Sequence, residues 1–227
     1  ANQFILYREN RAQLRDQKHK IFQTNYLDSV SKSFTLNQLK VLSERYLLRE
    51  PSKDDEKGKI VESPSELFRR VATLMGLSDL LHDSEIYSKE HDGFIYSGSE
   101  RVVYGDYFKI LDERFINQYH FERFCNLFDQ LNREGKMKLS LDWLMKDKFV
   151  KLFDQKYQAK IDQYYNLMTQ CIFMPNTPTL MNAGTANAGL SACFVLHAPD
   201  SSNRYIRETV GDADLIYKKA GGVGIDY

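Results

Sequence analysis

The 227-residue sequence lacks several features that would point to a large class of partners. Its 31 basic residues equal its 31 acidic residues, so no net charge draws the chain to nucleic acid or to a lipid surface. No apolar run approaches the roughly 18 residues that span a bilayer, and no basic-then-apolar leader opens the chain. These absences predict a cytoplasmic protein with neither nucleic-acid nor membrane partners.

Cysteine is also scarce. Cys125, Cys171 and Cys193 form an odd count without C-x-x-C spacing, which argues against a secreted disulfide framework, and we predict no metal site. Cys125 and Cys171 lie in apolar helical stretches and are predicted to be core residues. A cysteine flanked by apolar residues is usually inert core as well, so Cys193 needs a pocket, a base or a partner thiol to react.

Helical patterns dominate residues 1–170, which we predict to be a mainly α-helical domain. Thr35 with Gln38, and Ser63 with Glu66, have the spacing of capping boxes. Apolar and aromatic residues of the last helix recur at helical spacing and are interpreted as core rather than as a base-stacking surface. The predicted helices cover Glu9–Gln23, Thr35 to Leu48, Ser63 to a stop at Gly76, Asn117–Arg133 and Val150–Gln170.

Two stretches between these helices are predicted to be irregular. Pro51–Lys59 is charged and is predicted to be a solvated turn. Residues 82–106 are rich in Ser, Gly, Asp and Tyr and are predicted to be a loop, with short hairpin pieces at Phe94–Tyr96 and Val102–Tyr104.

The last quarter of the sequence changes character. Pro175–Gly189 is rich in Pro, Gly, Asn and Thr, which predicts neither a regular helix nor a central strand. Ser191–Leu196 is predicted to be a short buried strand, followed by a helix from Ile206 to Ala220 and a second strand from Gly221. Strand, crossover helix and strand form a parallel unit, which normally continues into a larger sheet or barrel.

Two polar or glycine-rich segments suggest ligand contact. The side chains of Asn176, Thr177, Thr179, Asn182 and Thr185, with nearby glycines, would suit a phosphate, although composition alone favours an ordinary connector. The glycines at 221–224 follow a helix and open a strand, whereas a dinucleotide fingerprint follows a strand and opens a helix. They are interpreted as a helix stop and a close backbone approach.

Several motifs in this order resemble one enzyme family. FMPNTPTLMNAGT, LSACFVL, the D-S-S at 200–202 and KKAGGVGID resemble the large, catalytic subunit of ribonucleotide reductase, and LKVLSERYLLRE with KGKIVESPSELFRRVA resembles its N-terminal helical region. The resemblance covers about 35–76 and 171–227. It favours the adenosylcobalamin-dependent class II enzymes, because class I enzymes usually carry Ser-Ser-Cys where this chain has Ser191-Ala192-Cys193.

The resemblance implies a fold and a set of roles. Residues 171–227 would be the start of the catalytic ten-stranded α/β barrel, incomplete in this chain. Cys193 matches one thiol of a redox pair that supplies two electrons as the ribose 2′-hydroxyl leaves; the resulting disulfide is reduced again by a thioredoxin-like reductant. Ribonucleotide substrate would contact Thr177, Ser191, Ala192, Cys193 and Gly222. Asp200, Ser201 and Ser202 match the start of the site for a deoxynucleoside triphosphate effector.

In that family the radical-bearing cysteine, the second redox cysteine and most of the cobalamin site correspond to sequence beyond Tyr227. We therefore predict the N-terminal piece of a split or intein-interrupted reductase, inactive alone and partnered by its C-terminal fragment. Two alternatives stay open. One is a class I large subunit whose radical comes from a separate small subunit, and the other is a non-catalytic helical module that binds nucleotides or proteins.

Overall fold

The computed structural model divides the chain into two compact units, Ala1–Met174 and Pro175–Tyr227. It describes residues 2–22, 27–52, 56–90, 102–187, 189–197, 203–218 and 221–226. No helix in these ranges is long and apolar enough to cross a membrane.

The first unit is helical, as predicted. Its last helical stretch is continuous from Leu141 and contains two π-helical segments, so it begins well before the predicted Val150. The one small sheet described here pairs two-residue strands antiparallel, with Arg49 opposite Ile60. In chain order the elements are α1 Asn2–Phe22, α2 Ser29–Ser33, α3 Leu36–Arg45, β1 Arg49–Glu50, β2 Lys59–Ile60, α4 Pro64–Leu81, α5 Tyr104–Asp112, α6 Gln118–Arg133, α7 Leu141–Trp143, a π segment Leu144–Lys148, α8 Phe149–Leu152, a π segment Phe153–Tyr157 and α9 Gln158–Thr169.

Side-chain caps explain where the main helices begin. Both predicted capping boxes are present: Thr35 exchanges hydrogen bonds with Gln38, and Ser63 does so with Glu66. Asp28 caps α2, and its second carboxylate oxygen accepts from the backbone N–H of Ser65 at 2.9 Å. The starts of α2 and α4 are therefore tied to one carboxylate.

The core of the first unit is built around α4. Its apolar face is fully buried and packs mainly against α9. The predicted stop at Gly76 is wrong, since α4 continues to Leu81. A Cβ at Gly76 would lie 2.3 Å from Cγ1 of Ile161, so the missing side chain lets α9 approach rather than ending the helix.

The end of α3 and one predicted hairpin piece also differ from prediction. α3 ends at Arg45 rather than Leu48, because the chain turns there into β1. The hairpin piece at Val102–Tyr104 is wrong, since Tyr104 opens α5 within the predicted loop. The hairpin piece at Phe94–Tyr96 lies outside the described residues.

The second unit contains the predicted parallel strand pair. It comprises α10 Thr177–Asn182, β3 Cys193–His197, α11 Asn203–Tyr217 and β4 Gly222–Asp226, and β3 pairs parallel with β4. The sheet has two strands in the described part of the chain, so a strand–helix–strand unit is observed but a barrel is not.

Two predictions for the second unit are wrong. Pro175–Gly189 does contain a helix, because Asn176 caps α10 and Pro178 falls in its first turn, where a missing N–H costs nothing. β3 is not buried: Val195 is 78% exposed, because β4 is the only strand paired with it in the described residues.

Candidate functional site

Cys193 is the first residue of β3, and its thiol is exposed. The next side chain, Phe194, lies on the α11 side of the strand: a Cβ at Gly221 would be 2.9 Å from its ring and 2.6 Å from Cγ2 of Ile216. Successive side chains of a strand point to opposite faces. Cys193 therefore faces away from α11, on the opposite face of the two-stranded sheet.

Ala192, Cys193 and Gly222 lie together at the end of the sheet where both strands begin. Cys193 is directly opposite Gly222 in the register, and the backbone N–H of Gly222 donates to the carbonyl oxygen of Ala192 at 2.7 Å. A Cβ at Gly222 would lie 3.5 Å from that oxygen, an ordinary contact. Of the two neighbouring glycines, Gly221 is therefore the one whose backbone lies too close to other side chains to accept a Cβ, whereas Gly222 has room for one.

Short helix α10 is fastened to the chain that leads into β3. Thr179 Oγ1 donates to the carbonyl oxygen of Leu190 at 2.9 Å, and Asn182 Nδ2 donates to that of Gly189 at 2.6 Å. Thr177, exposed at the first position of α10, is thereby held in a fixed relation to the residues just before Ser191. This positioning role of Thr179 and Asn182 was not predicted from the sequence, where their position in a polar loop was the only signal.

Most polar side chains of this loop are engaged within it. Asn176 Oδ1 accepts from the N–H of Thr179 at 3.0 Å, and Thr185 Oγ1 donates to the carbonyl oxygen of Asn182 at 2.9 Å. The side chains of Asn176, Thr179, Asn182 and Thr185 thus stabilise the loop itself. Thr177 is exposed at the start of α10.

The candidate effector residues Asp200, Ser201 and Ser202 lie outside the described residues, directly before α11 begins at Asn203. The structure therefore brings together the candidate residues of β3 and β4, fastens the loop carrying Thr177 nearby in the chain, and leaves the effector segment undescribed.

The other two cysteines lie in the first unit. Cys125 is half-buried on α6, where burial, followed by the charges of Asp129 and Glu122, raises the pKa of its thiol to about 12. Cys171 is exposed, so its prediction as core is wrong. It follows α9 with φ of 56°, a left-handed conformation past the helix end that leaves its side chain at the surface.

A buried ion pair, not predicted from sequence, joins the segment that follows β2 to α4. Arg70 donates to both carboxylate oxygens of Glu62, at 2.7 and 3.0 Å, and both side chains are 6% exposed. Glu62 also accepts from the N–H of Leu48 at 3.1 Å. His120 Nε2 lies 2.9 Å from the carbonyl oxygen of Arg70, and burial lowers the pKa of this histidine to about 4.

A second buried carboxylate, Asp83, is equally well partnered. It accepts from Tyr157 Oη at 2.6 Å, from the N–H of Glu85 at 2.9 Å and from the ammonium of Lys156. Burial alone would raise the pKa of Asp83, but these hydrogen bonds bring it below its ordinary value. Both clusters stabilise the helical unit, and no group of His, Cys, Asp and Glu in the described residues has the arrangement of a metal site.

Comparison with known proteins assigns the chain to a class. The family of the ribonucleotide reductase all-alpha domain matches residues 32–188. The chain belongs to the ribonucleotide reductase family.

Individual relatives refine this membership. The vitamin B12-dependent ribonucleoside-diphosphate reductase of Thermoplasma acidophilum is 34% identical over 227 residues, which is 100% of this chain and 26% of that protein. The ribonucleoside-diphosphate reductase large subunit of Arabidopsis thaliana is 44% identical over 63 residues, 28% of this chain and 8% of that protein. The large chain of Schizosaccharomyces pombe is 40% identical over 77 residues, 34% and 9% respectively. This chain thus spans about a quarter or less of these relatives.

Proposed function

We propose that this chain is the N-terminal part of a class II, adenosylcobalamin-dependent ribonucleotide reductase that acts in the cytoplasm. The observation that carries the proposal is the 34% identity to a vitamin B12-dependent reductase along the entire chain. That relative is named a ribonucleoside-diphosphate reductase, so a ribonucleoside diphosphate is the substrate we propose.

Cys193 is the proposed catalytic residue of this chain. Its exposure at the start of β3, on the face that α11 does not cover, supports contact with a ligand. The thiol would pair with a second thiol from the remainder of the reductase. As the 2′-hydroxyl leaves as water, the two thiols become a disulfide and the sugar gains two electrons. A thioredoxin-like reductant would then restore both thiols.

The proposed substrate site surrounds this thiol. Ala192 and Gly222 are joined by a backbone hydrogen bond directly beside Cys193, and Ser191 immediately precedes them. Thr177 would contact the substrate phosphates from the start of α10, held by the two hydrogen bonds from Thr179 and Asn182. These contacts would fix the ribose near the thiol.

Several parts of the proposed enzyme lie partly or wholly outside this chain. We propose that residues 171–227 begin the catalytic ten-stranded barrel and that the C-terminal remainder of the reductase completes it. Adenosylcobalamin would supply the radical chemistry from a site mostly outside this chain. Asp200, Ser201 and Ser202 would begin the site for the deoxynucleoside triphosphate effector.

A class I large subunit is the second candidate. The plant and yeast large subunits are 44% and 40% identical to this chain, higher than the B12-dependent relative, but over 63 and 77 residues only. In that case a separate metal-containing small subunit would supply the radical. Identity along the full chain favours the class II assignment.

The decisive experiment is coexpression with the remainder of the reductase. Formation of deoxynucleotides that requires adenosylcobalamin and is abolished by Cys193→Ala supports the proposal. Cys125→Ala is the matched control, because that thiol is half-buried with a raised pKa, and it should retain activity.

Other outcomes point elsewhere. Activity that requires an iron- or manganese-containing subunit instead of cobalamin supports class I. A folded complex without activity under either condition contradicts both and leaves a non-catalytic helical module.

A further inference from the structure

The first unit ends on three consecutive apolar side chains that remain at the surface. Ile172 is 68% exposed, Phe173 60% and Met174 41%. We call these three residues the apolar run. The exposed thiol of Cys171 directly precedes them.

The apolar run is held in place by its backbone. The N–H groups of Ile172 and Phe173 both donate to the carbonyl oxygen of Leu167, at 2.9 and 3.2 Å, and that of Cys171 donates to Met168 at 3.0 Å. These bonds satisfy carbonyl groups at the end of α9. The run is therefore an ordered continuation of α9 and not a loose connector.

The orientation of Ile172 is unusual for this kind of helix end. In a helix end with a left-handed residue followed by a hydrogen bond back to the last turn, the next apolar side chain usually packs against the helix. Ile172 follows the left-handed Cys171 and makes that hydrogen bond, yet two thirds of it faces solvent. A fixed backbone thus presents a large aliphatic and a large aromatic side chain outward.

We propose that the apolar run is a docking surface for the part of the reductase polypeptide that this sequence does not contain. This inference depends on the proposed function. The length of the relatives argues for that occupant: the chain matches 26% of the B12-dependent reductase, so about three quarters of such a protein is available to cover it. Burial of Ile172 and Phe173 would favour assembly by the hydrophobic effect.

Cys171 provides a native reporter for this surface. Its reaction with a maleimide is followed by peptide mass spectrometry in the 227-residue chain alone and after assembly with the remainder of the reductase. We expect labelling of Cys171 to slow at least about tenfold on assembly. Unchanged labelling of Cys171 in the assembled protein overturns the proposal.

Substitutions test the contribution of the run to binding. Phe173→Ser should weaken the affinity for the remainder at least about tenfold, because most of a phenylalanine burial is lost, while Phe173→Leu should retain most of it. Val41→Ser on α3 is the matched control, because Val41 is 50% exposed and lies outside the run. Equal affinities for wild type and Phe173→Ser contradict the inference.

The same assays separate this inference from the proposed function. Wild-type assembly with cobalamin-dependent activity, unaffected by Phe173→Ser, overturns the docking surface and leaves the reductase assignment intact. Failure of the wild-type chain to assemble with the remainder overturns both. Slow Cys171 labelling in the isolated chain, together with a dimer in sedimentation, identifies a second copy as the occupant and also overturns the proposal.

Discussion

The two units of this chain differ in how they are stabilised. The first buries an apolar helix face against α9 and encloses ion pairs such as Glu62–Arg70. The second has one fully paired edge between two short strands, a single crossover helix and a strand in which Val195 is 78% exposed. Stability therefore resides mostly in the helical unit, whereas the candidate site, Cys193 included, lies in the unit with little core.

This separation has a consequence for mutagenesis. Substitutions in the first unit should change global unfolding, because its buried groups have partners from several helices. Substitutions in the second unit should change local opening, because few buried contacts depend on them.

Removal of one partner of the buried ion pair should have the largest effect. Glu62→Ala leaves the Arg70 guanidinium buried without its carboxylate and the N–H of Leu48 without an acceptor. We expect a loss of about 3–5 kcal/mol in the free energy of unfolding, measured by urea denaturation. Asp142→Ala, which breaks the exposed pair with Lys146, should cost at most about 0.5 kcal/mol. Similar costs for the two variants would show that the first unit does not depend on its buried charge.

The second prediction concerns acid sensitivity of the first unit. His120 is buried, and its pKa is lowered to about 4 from an ordinary 6.5. Between these two pH values the imidazole is protonated in the unfolded chain but stays neutral in the folded chain. The stabilisation is complete above pH 6.5 and is lost as the pH falls towards 4. Between pH 7 and 5 we expect a loss of about 2 kcal/mol.

A histidine variant isolates this contribution. His120→Gln should remove most of the pH dependence of the unfolding free energy between pH 7 and 5. Burial is the main reason that the pKa of His120 is low, and the charge of Arg70 lowers it further. In addition, Nδ1 of His120 accepts from the N–H of Asn117 at 3.3 Å, so a proton added there would face a donor. An unaltered pH slope in His120→Gln would contradict the assignment.

Local sequence signals predicted what depends on local geometry. The capping boxes at Thr35 and Ser63 and the strand–helix–strand order followed from spacing and composition, and the structure confirms them. The family membership followed from motifs whose residues are ordered along the chain, and the comparisons confirm it. The assigned roles of Cys193 and Thr177 stay predictions.

Long-range contacts account for what the sequence did not predict. Gly76 has the composition of a helix stop, but its role depends on Ile161, 85 positions later in the chain. The pairing of Glu62 with Arg70 and the burial of His120 need the tertiary arrangement of β2, α4 and α6. β3 has the apolar composition of a buried strand, yet burial requires neighbours that two strands do not provide.

Replacing glycine by alanine should change stability in opposite directions at different helical positions, because the surroundings of the glycines differ. Gly76→Ala forces its new methyl group against Ile161, which should cost more than the gain in helix propensity, a net loss of about 1–2 kcal/mol. Gly105 and Gly211 meet no atom within 4 Å of an added Cβ, so alanine there should stabilise α5 or α11 by about 0.5–1 kcal/mol. Urea denaturation measures the first two, and amide exchange in α11 measures the third. Stabilisation by Gly76→Ala would contradict the close approach of α4 and α9.

The smallest effect is expected from a cap in the second unit. Asn176→Ala removes the acceptor for the N–H of Thr179 and should destabilise α10 by about 1 kcal/mol. Because α10 belongs to the unit with little core, faster amide exchange should be confined to residues 177–190.

Ser63→Ala, the equivalent loss on α4, should instead lower the unfolding midpoint of the whole first unit. Asn187→Ala, on an exposed side chain, is the control and should change neither measurement. A shift of the global midpoint by Asn176→Ala as large as that by Ser63→Ala would mean that the two units unfold together, and the separation of stability from the candidate site would be wrong.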